Sequence, residues 1–306
     1  MRFIKKHKIC TILLIVLSFY LYNNFTRVVE TNPLVDRSSK HYINDLYASD
    51  GRIYENYLSP SEKKVYMTIL KNTREYNSKF NLYLADYDCK SVEELSGKLY
   101  TVFDAIPVDH PELMNQAGIS WRWESSDTDH ITVTLKLAFN NKYKEYIGQL
   151  RMQKIISDIK IATKNMNDKE KVKYVYNWIG DNTVYDYTFM TFSKNQSIYN
   201  VFMKGNAVCA AFAKASLIIF QNIGIEAYAI SGETSGPHMW NIVKVNDKYY
   251  YYDSTVAACR KKNTKGYYNG LIETEFNNYK QRHPDWYKDI KLEETNGIIN
   301  DIGDQQ

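Results

Sequence analysis

The stretch Cys209–Phe220 constrains the fold more than any other part of the chain. It reads Cys-Ala-Ala-Phe-Ala-Lys-Ala-Ser-Leu-Ile-Ile-Phe, and Lys214 is its only charge. A helix that is apolar nearly all round has no face for solvent, so other elements must surround it. Its alanines let neighbouring backbones come close, and Gly224 supplies a stop just beyond it. Downstream, Ile225–Ser231 reads as a strand and Gly232–Pro237 as a Gly-rich loop. His238–Val245 and Lys248–Asp253 are two β-rich runs separated by Asn246-Asp247. Both turn residues tolerate positive φ, which predicts a two-residue type I′ hairpin. The expected class is α+β, with a central buried helix packed on an antiparallel sheet.

The tight turn makes the register calculable. If Val245 pairs with Lys248, paired numbers sum to 493, so Asp253 faces Trp240 and His238 faces Thr255. His238 and Asp253 then point to the same face as diagonal neighbours. A three-residue loop would put them on opposite faces. Cys209 opens the central helix, where unpaired N–H groups and the positive dipole end favour a thiolate. Each residue alone has an ordinary reading: a small buried hydrophobe, a strand-edge histidine, a turn acid. Together they match a nucleophile, a base and an orienting acid. The His takes the thiol proton, the acid fixes its tautomer and the thiolate attacks a carbonyl. The helix-terminal N–H of Cys209 would form half an oxyanion hole.

The pattern Gly205-x-x-Val208-Cys209-x-x-Phe212-Ala213, then Gly224-Ile225, Gly232, His238-x-Trp240-Asn241 and a Tyr-rich strand to Asp253-Ser254-Thr255 resembles the transglutaminase-like superfamily. Tyr185-Asp186-Tyr187 resembles a recurring segment upstream of the cysteine in that family. The resemblance implies a papain-like core over roughly 170–256, with Cys209 as nucleophile, His238 as base and Asp253 as orienting acid. The family often has Gly then an aromatic after the cysteine, whereas here the pair is Ala211-Phe212. The second oxyanion donor has no clear match, and Trp178, Tyr199 and Asn206 are the candidates, with Trp240 beside the cleft. The region before residue 150, with Asp109-His-Pro-Glu112, is similar to segments preceding this core in bacterial membrane-anchored members. By its own composition that tetrapeptide reads as a turn and a helix start.

The apolar run Ile9–Tyr22 follows Arg2, Lys5, Lys6 and Lys8. This predicts a signal-anchor over 1–27 rather than a cleaved signal, because Phe19-Tyr20-Leu21-Tyr22 offers no small-x-small site. The positive-inside rule then keeps the N-terminus in the cytoplasm and places the C-terminal domain outside a single-pass cell-membrane protein. Residues 28–58 read as a stem and 59–145 as a small α+β region. In that region helices are expected from Ser59 to about Phe80 and over Ser91–Ile106, each with a start signal. A hairpin of Ile119–Glu124 and Ile131–Phe139 follows. Residues 146–260 form the expected catalytic domain, with helices over 143–165 and 169–181 leading into it, and 261–306 a charged C-terminal extension.

Several function classes drop out. Outside residues 1–27 the chain has 34 basic and 35 acidic residues, so no phosphate-backbone footprint exists and no nucleic acid is expected. Cys10, Cys89, Cys209 and Cys259 are too few and scattered for a disulfide framework, and no C-x-x-C pair exists. No calcium-loop spacing appears, and a metal site of Cys209, His238 and Cys259 has no supporting pattern. No cofactor and no metal are expected. The leading function is an exported thiol enzyme that transfers or hydrolyses amides of protein or peptide substrates, wall-linked ones included, through a Cys thioester. The alternative is a catalytically silent binding or scaffold module of the same fold.

Overall fold

The computed structural model describes residues 52–124, 127–139, 141–188, 194–234, 236–260 and 279–293. The membrane anchor expected over 1–27, and the stem up to residue 51, lie outside these residues. No helix among the described residues is long and apolar enough to cross a membrane. All described residues fall in one compact unit, Leu46–Gln306.

The first half is built round helix α2, Pro60–Arg74, and helix α3, Val92–Asp109. Ser59 caps α2 with a reciprocal Ser–Glu62 box and Pro60 in its first turn. The short helix α1, Arg52–Tyr57, buries Ile53 completely, so this end of the expected stem packs into the body. Strands β1 (Lys79–Tyr83), β2 (Gln116–Glu124) and β3 (Asp127–Leu137) form a three-stranded sheet in the order β1-β3-β2. The β2–β3 hairpin matches the alternation of Ile131, Val133 and Leu135, whose side chains are buried.

Three expectations are corrected here. The helix from Ser59 stops at Arg74, and Phe80 lies in β1, where it pairs with Val133. Helix α3 does not break at Pro107 but runs to Asp109. Asp109-His-Pro-Glu112 is therefore a helix end, not a helix start. An acid is unfavourable at a helix C-terminus, and Asp109 is held there by another helix. Its carboxylate accepts from the Ile53 and Tyr54 amides at the start of α1, at 3.0 and 2.9 Å, and from the Tyr66 hydroxyl. It caps α1 with the right sign of charge.

Helices α4 (Lys142–Ala162) and α5 (Asp168–Asn182) follow, each with an asparagine N-cap. A two-stranded parallel ribbon, β4 (Val184–Tyr185) with β5 (Asn206–Ala207), leads into α6, Cys209–Ile223. Helix α6 is the buried centre of the molecule, and Gly224 ends it at φ 78°. Strands β6 (Ala227–Glu233), β7 (Pro237–Val245) and β8 (Lys248–Tyr252) form a sheet against it. Asn246 and Asp247 sit at φ 50° and 63°, and Val245 pairs with Lys248, as a type I′ turn requires. A short helix α7, Thr255–Arg260, comes next. The expected Gly-rich loop is shorter than its sequence suggests, because Gly232 and Glu233 are strand residues paired with His238 and Pro237.

The sheet has a fourth strand, β9 (Lys280–Gln281), which pairs with Gly232 and Glu233. It comes from the expected C-terminal extension. Gly232 makes room for it: a Cβ there would lie 2.2 Å from the Lys280 carbonyl oxygen and 2.4 Å from the Trp240 ring. Backbone and a fully buried indole cannot both retreat. Gly232→Ala is thus expected to unseat β9 and cost about 1–3 kcal/mol, the range for overpacking. Chemical denaturation checks it, and unchanged stability would mean that β9 does not close the sheet.

Candidate active site

Helix α6 begins at Cys209, with Val208 as its N-cap. The Cys209 amide is one of the first helical N–H groups, which have no partner inside the helix. The thiol is nearly buried, at 8 % residue exposure, and opens on a cavity of about 310 Å³. His238 lies near the start of β7 and lines the same cavity. Asp253 directly follows β8 and is 1 % exposed. The hairpin register sets both on one face, and His238 Nε2 lies 2.7 Å from Asp253 Oδ2. A carboxylate only accepts, so Nε2 carries a proton, and Cys209 is close enough to the imidazole to contribute to raising it.

Local packing holds this alignment. The Asn241 side-chain amide donates to the Ala213 carbonyl at 3.0 Å, which ties β7 to α6. Ser216 and Ser254 hydroxyls share a bond of 3.0 Å, which ties α6 to the end of β8. Asp253 Oδ1 accepts from the Thr255 amide at 2.9 Å, and Oδ2 accepts from the Tyr279 hydroxyl at 2.8 Å. Trp240 is fully buried and stacks on the His238 ring at 5.9 Å and 20°.

These contacts decide the charges. Burial opposes an imidazolium at His238, but the Asp253 charge and hydrogen bond, with a smaller contribution from Cys209, outweigh it and push His238 up to about 10. Burial likewise opposes the Asp253 carboxylate. The His238 charge and bond, with the Thr255 and Tyr279 donors, still hold it below the usual carboxylate range. The pair is therefore an ion pair at neutral pH. Cys259 is different: burial pushes its thiol up to about 11, although it accepts from the Tyr187 hydroxyl. Cys89, Cys209 and Cys259 are all free. Among the described residues no group of His, Cys, Asp and Glu is arranged to hold a metal.

Of the residues expected to complete the cleft, Trp178, Tyr199, Asn206 and Trp240 do not line the cavity. Trp178 packs on Phe202, and Tyr199 on Phe139. Asn206 donates to Asp186 at 3.3 Å in a small network below the ribbon. Trp240 supports the imidazole from behind. The cavity wall comes instead from Gln116, Gln196, Lys214, Asp104 and Arg282. Asp104 is held by Arg282 at 2.8 Å and by His283 at 3.0 Å. Sequence analysis missed Tyr279, Arg282 and Gln116. Only Lys214 left a signal, as the lone charge in an apolar helix.

Residues 158–254 match the family model described as the transglutaminase-like superfamily, so the chain carries a transglutaminase-like core within a mixed helix and sheet fold. Among solved structures, a TGase is 17 % identical with a TM-score of 0.34, covering 52 % of this chain and 46 % of its own. A candidate cysteine protease from Cytophaga hutchinsonii is 13 % identical with a TM-score of 0.33, covering 54 % of this chain and 65 % of its own. The periplasmic domain of TgpA from Pseudomonas aeruginosa, bound to ethylmercury, is 11 % identical with a TM-score of 0.30, covering 43 % of this chain and 57 % of its own. The chain thus spans less than half the length of the first of these structures. No curated protein matches.

Proposed function

We propose that the protein is a thiol enzyme acting on amide bonds of protein or peptide substrates, with Cys209 as nucleophile, His238 as base and Asp253 as orienting acid. The observation that carries this reading is the 2.7 Å His238–Asp253 bond, with Cys209 lining the same cavity as His238 and close enough to the imidazole to help raise it. The second proton of the His238 imidazolium is the one that Cys209 has given up, and the resulting thiolate attacks the amide carbonyl. The tetrahedral oxyanion accepts from the Cys209 amide. Collapse breaks the C–N bond, and His238 returns its proton to the leaving amine. The thioester is then resolved by water, giving hydrolysis, or by a second amine, giving transfer; in either case His238 takes the attacking proton and hands it to the departing thiolate.

The reading extends to the compartment: the apolar run Ile9–Tyr22 and its basic flank support a membrane-anchored protein with its catalytic part outside, where wall-linked peptides and surface proteins are within reach. External protease digestion of intact cells tests this, and protection of the catalytic part would end it.

Competitive alkylation tests the chemistry. At pH 7 Cys209 is expected to react with iodoacetamide at least about tenfold faster than Cys259, whose thiol burial pushes up to about 11. His238→Ala should slow Cys209 by a similar factor and leave Cys89 unaffected. Equal rates at Cys209 and Cys259, or no effect of His238→Ala, would leave a silent scaffold as the better account. Amine incorporation against ammonia release then separates transfer from hydrolysis.

A further inference from the structure

Among the described residues the Asp253 carboxylate has three donors for its two oxygens. Oδ1 accepts from the Thr255 amide, and Oδ2 accepts from both His238 Nε2 and the Tyr279 hydroxyl, at 2.7 and 2.8 Å. A carboxylate cannot donate, so the Tyr279 hydroxyl must. Asp253 is buried, so bulk water does not stand ready to replace a donor that is lost. The Tyr279 ring is fixed as well, edge-on to Trp240 at 4.9 Å and to His238 at 5.7 Å. It does not line the cavity that holds Cys209 and His238. Whatever it does for the reaction it does through the His238–Asp253 pair.

Tyr279 arrives on a strap, residues 279–293, after every element that carries Cys209, His238 and Asp253. The residues next to it tie the strap down. Lys280 and Gln281 pair with Glu233 and Gly232, the Gln281 side-chain amide donates to the Tyr251 hydroxyl at 3.0 Å, and the Arg282 backbone amide donates to the Ser231 carbonyl at 2.9 Å. The Arg282 guanidinium clasps Asp104 of α3, and the Tyr287 hydroxyl donates to the Ala229 carbonyl at 2.7 Å.

We propose that Tyr279 is a positioning residue of the active site: its hydroxyl keeps the Asp253 carboxylate charged and aimed at His238, so the strap must be seated for the pair to serve Cys209. This role rests on the function proposed above, in which the pair serves the thiol. Two donors on one oxygen favour its charged form. Without the hydroxyl, Oδ2 keeps only the imidazole, so the carboxylate takes a proton at higher pH and is held by one bond fewer. The other titratable groups facing Asp253 do not compensate. His238 and Cys209 are the reacting groups, and burial raises Tyr252 and pushes Cys259 up to about 11, so those two are neutral in the acid range.

Tyr279→Phe in the full chain keeps the ring and removes the hydroxyl. The His238 Nε2 proton, observed by NMR, reports the charge on Asp253 without any turnover. Its acid-side titration is expected about one pH unit higher in the variant, the scale of one lost hydrogen bond to a charged group. The p-nitrophenolate burst from p-nitrophenyl acetate should be about tenfold slower at saturation, as for a misaligned group, with the half-saturating concentration unchanged. Gly232→Ala reaches the same hydroxyl by another route, because unseating β9 withdraws Tyr279 and should move the titration as far. If the thiol proves unreactive, the function proposed above fails while the titration still decides whether Tyr279 holds Asp253. An unmoved titration in Tyr279→Phe, or a changed half-saturating concentration at an unchanged burst rate, would overturn the role.

Discussion

Asp253→Asn is expected to fold and to lose about 10³-fold or more in acylation of Cys209, the scale seen when a triad acid is made neutral. The loss follows from which oxygen does what. Oδ1 accepts from the Thr255 amide, which can only donate, so the oxygen of an asparagine must stay there. Its nitrogen then replaces Oδ2, which now accepts from His238 Nε2 and from the Tyr279 hydroxyl. A donor at that place turns Nε2 into an acceptor and moves the ring proton to Nδ1. Nδ1, the nitrogen proposed to hold the proton given up by Cys209, is then already occupied and can no longer take it. Tyr279 can rotate its hydroxyl and accept, so the packing survives. p-Nitrophenolate release from p-nitrophenyl acetate measures the loss. A pH series gives a second readout. His238 is raised from 6.5 to about 10, so the stability due to the pair is fully present below about pH 6.5 and fades as pH climbs towards 10. Asp253 is lowered, so its share is lost as pH falls below the usual carboxylate range. The stability gap between wild type and Asp253→Asn should be widest between roughly pH 4 and 6.5. A variant that acylates at the wild-type rate would remove Asp253 from the machinery.

The part of the site that was legible in the sequence is the part whose geometry is set by neighbours in the chain. Two consecutive residues at positive φ fix the turn, the turn fixes the sum 493, and parity puts His238 and Asp253 on one face. The apolar length of α6 likewise left no place for it but the centre. Tyr279 was illegible because its contact depends on β9, a strand of Lys280 and Gln281 alone that leaves no periodicity to detect. What admits it is the missing side chain of Gly232, seen in the sequence only as a loop residue. β1 was lost for a related reason. Only Leu82 of its five residues is buried, too little alternation to tell a strand from the tail of a helix. Helix α3 outran its expected end because the cost of Asp109 at its C-terminus is met by α1, far away in sequence. The oxyanion and cleft candidates Trp178, Tyr199, Asn206 and Trp240 all came from the second half of the chain. The cavity wall is supplied by Gln116 and Asp104, from a region folded back from the first half.

Lys214→Met is expected to make the protein more stable, and by an amount that depends on pH. The unfolded chain holds the lysine proton up to 10.5, the folded chain only to about 8. Below pH 8 folding therefore carries the full cost of burying the charge, on the order of 3 kcal/mol from the size of that displacement. Between about 8 and 10.5 the folded lysine is neutral while the unfolded one is still charged, so wild-type stability rises with pH on this account. His238 pulls the other way over an overlapping range, but it is present in both proteins and cancels in the difference. Methionine has nearly the same length, packs in an apolar helix and needs no counter-ion. The variant should melt several degrees higher at pH 7, at about 2–4 °C per kcal/mol for a chain of this size. The gap should close by about pH 10.5. Thermal melts of both proteins across that range decide it. A destabilised variant at pH 7 would mean that the ammonium already has its partner in the folded chain. A stabilised one leaves the lysine as a charge kept at the expense of the fold, at the wall of the cavity that also holds Cys209 and His238.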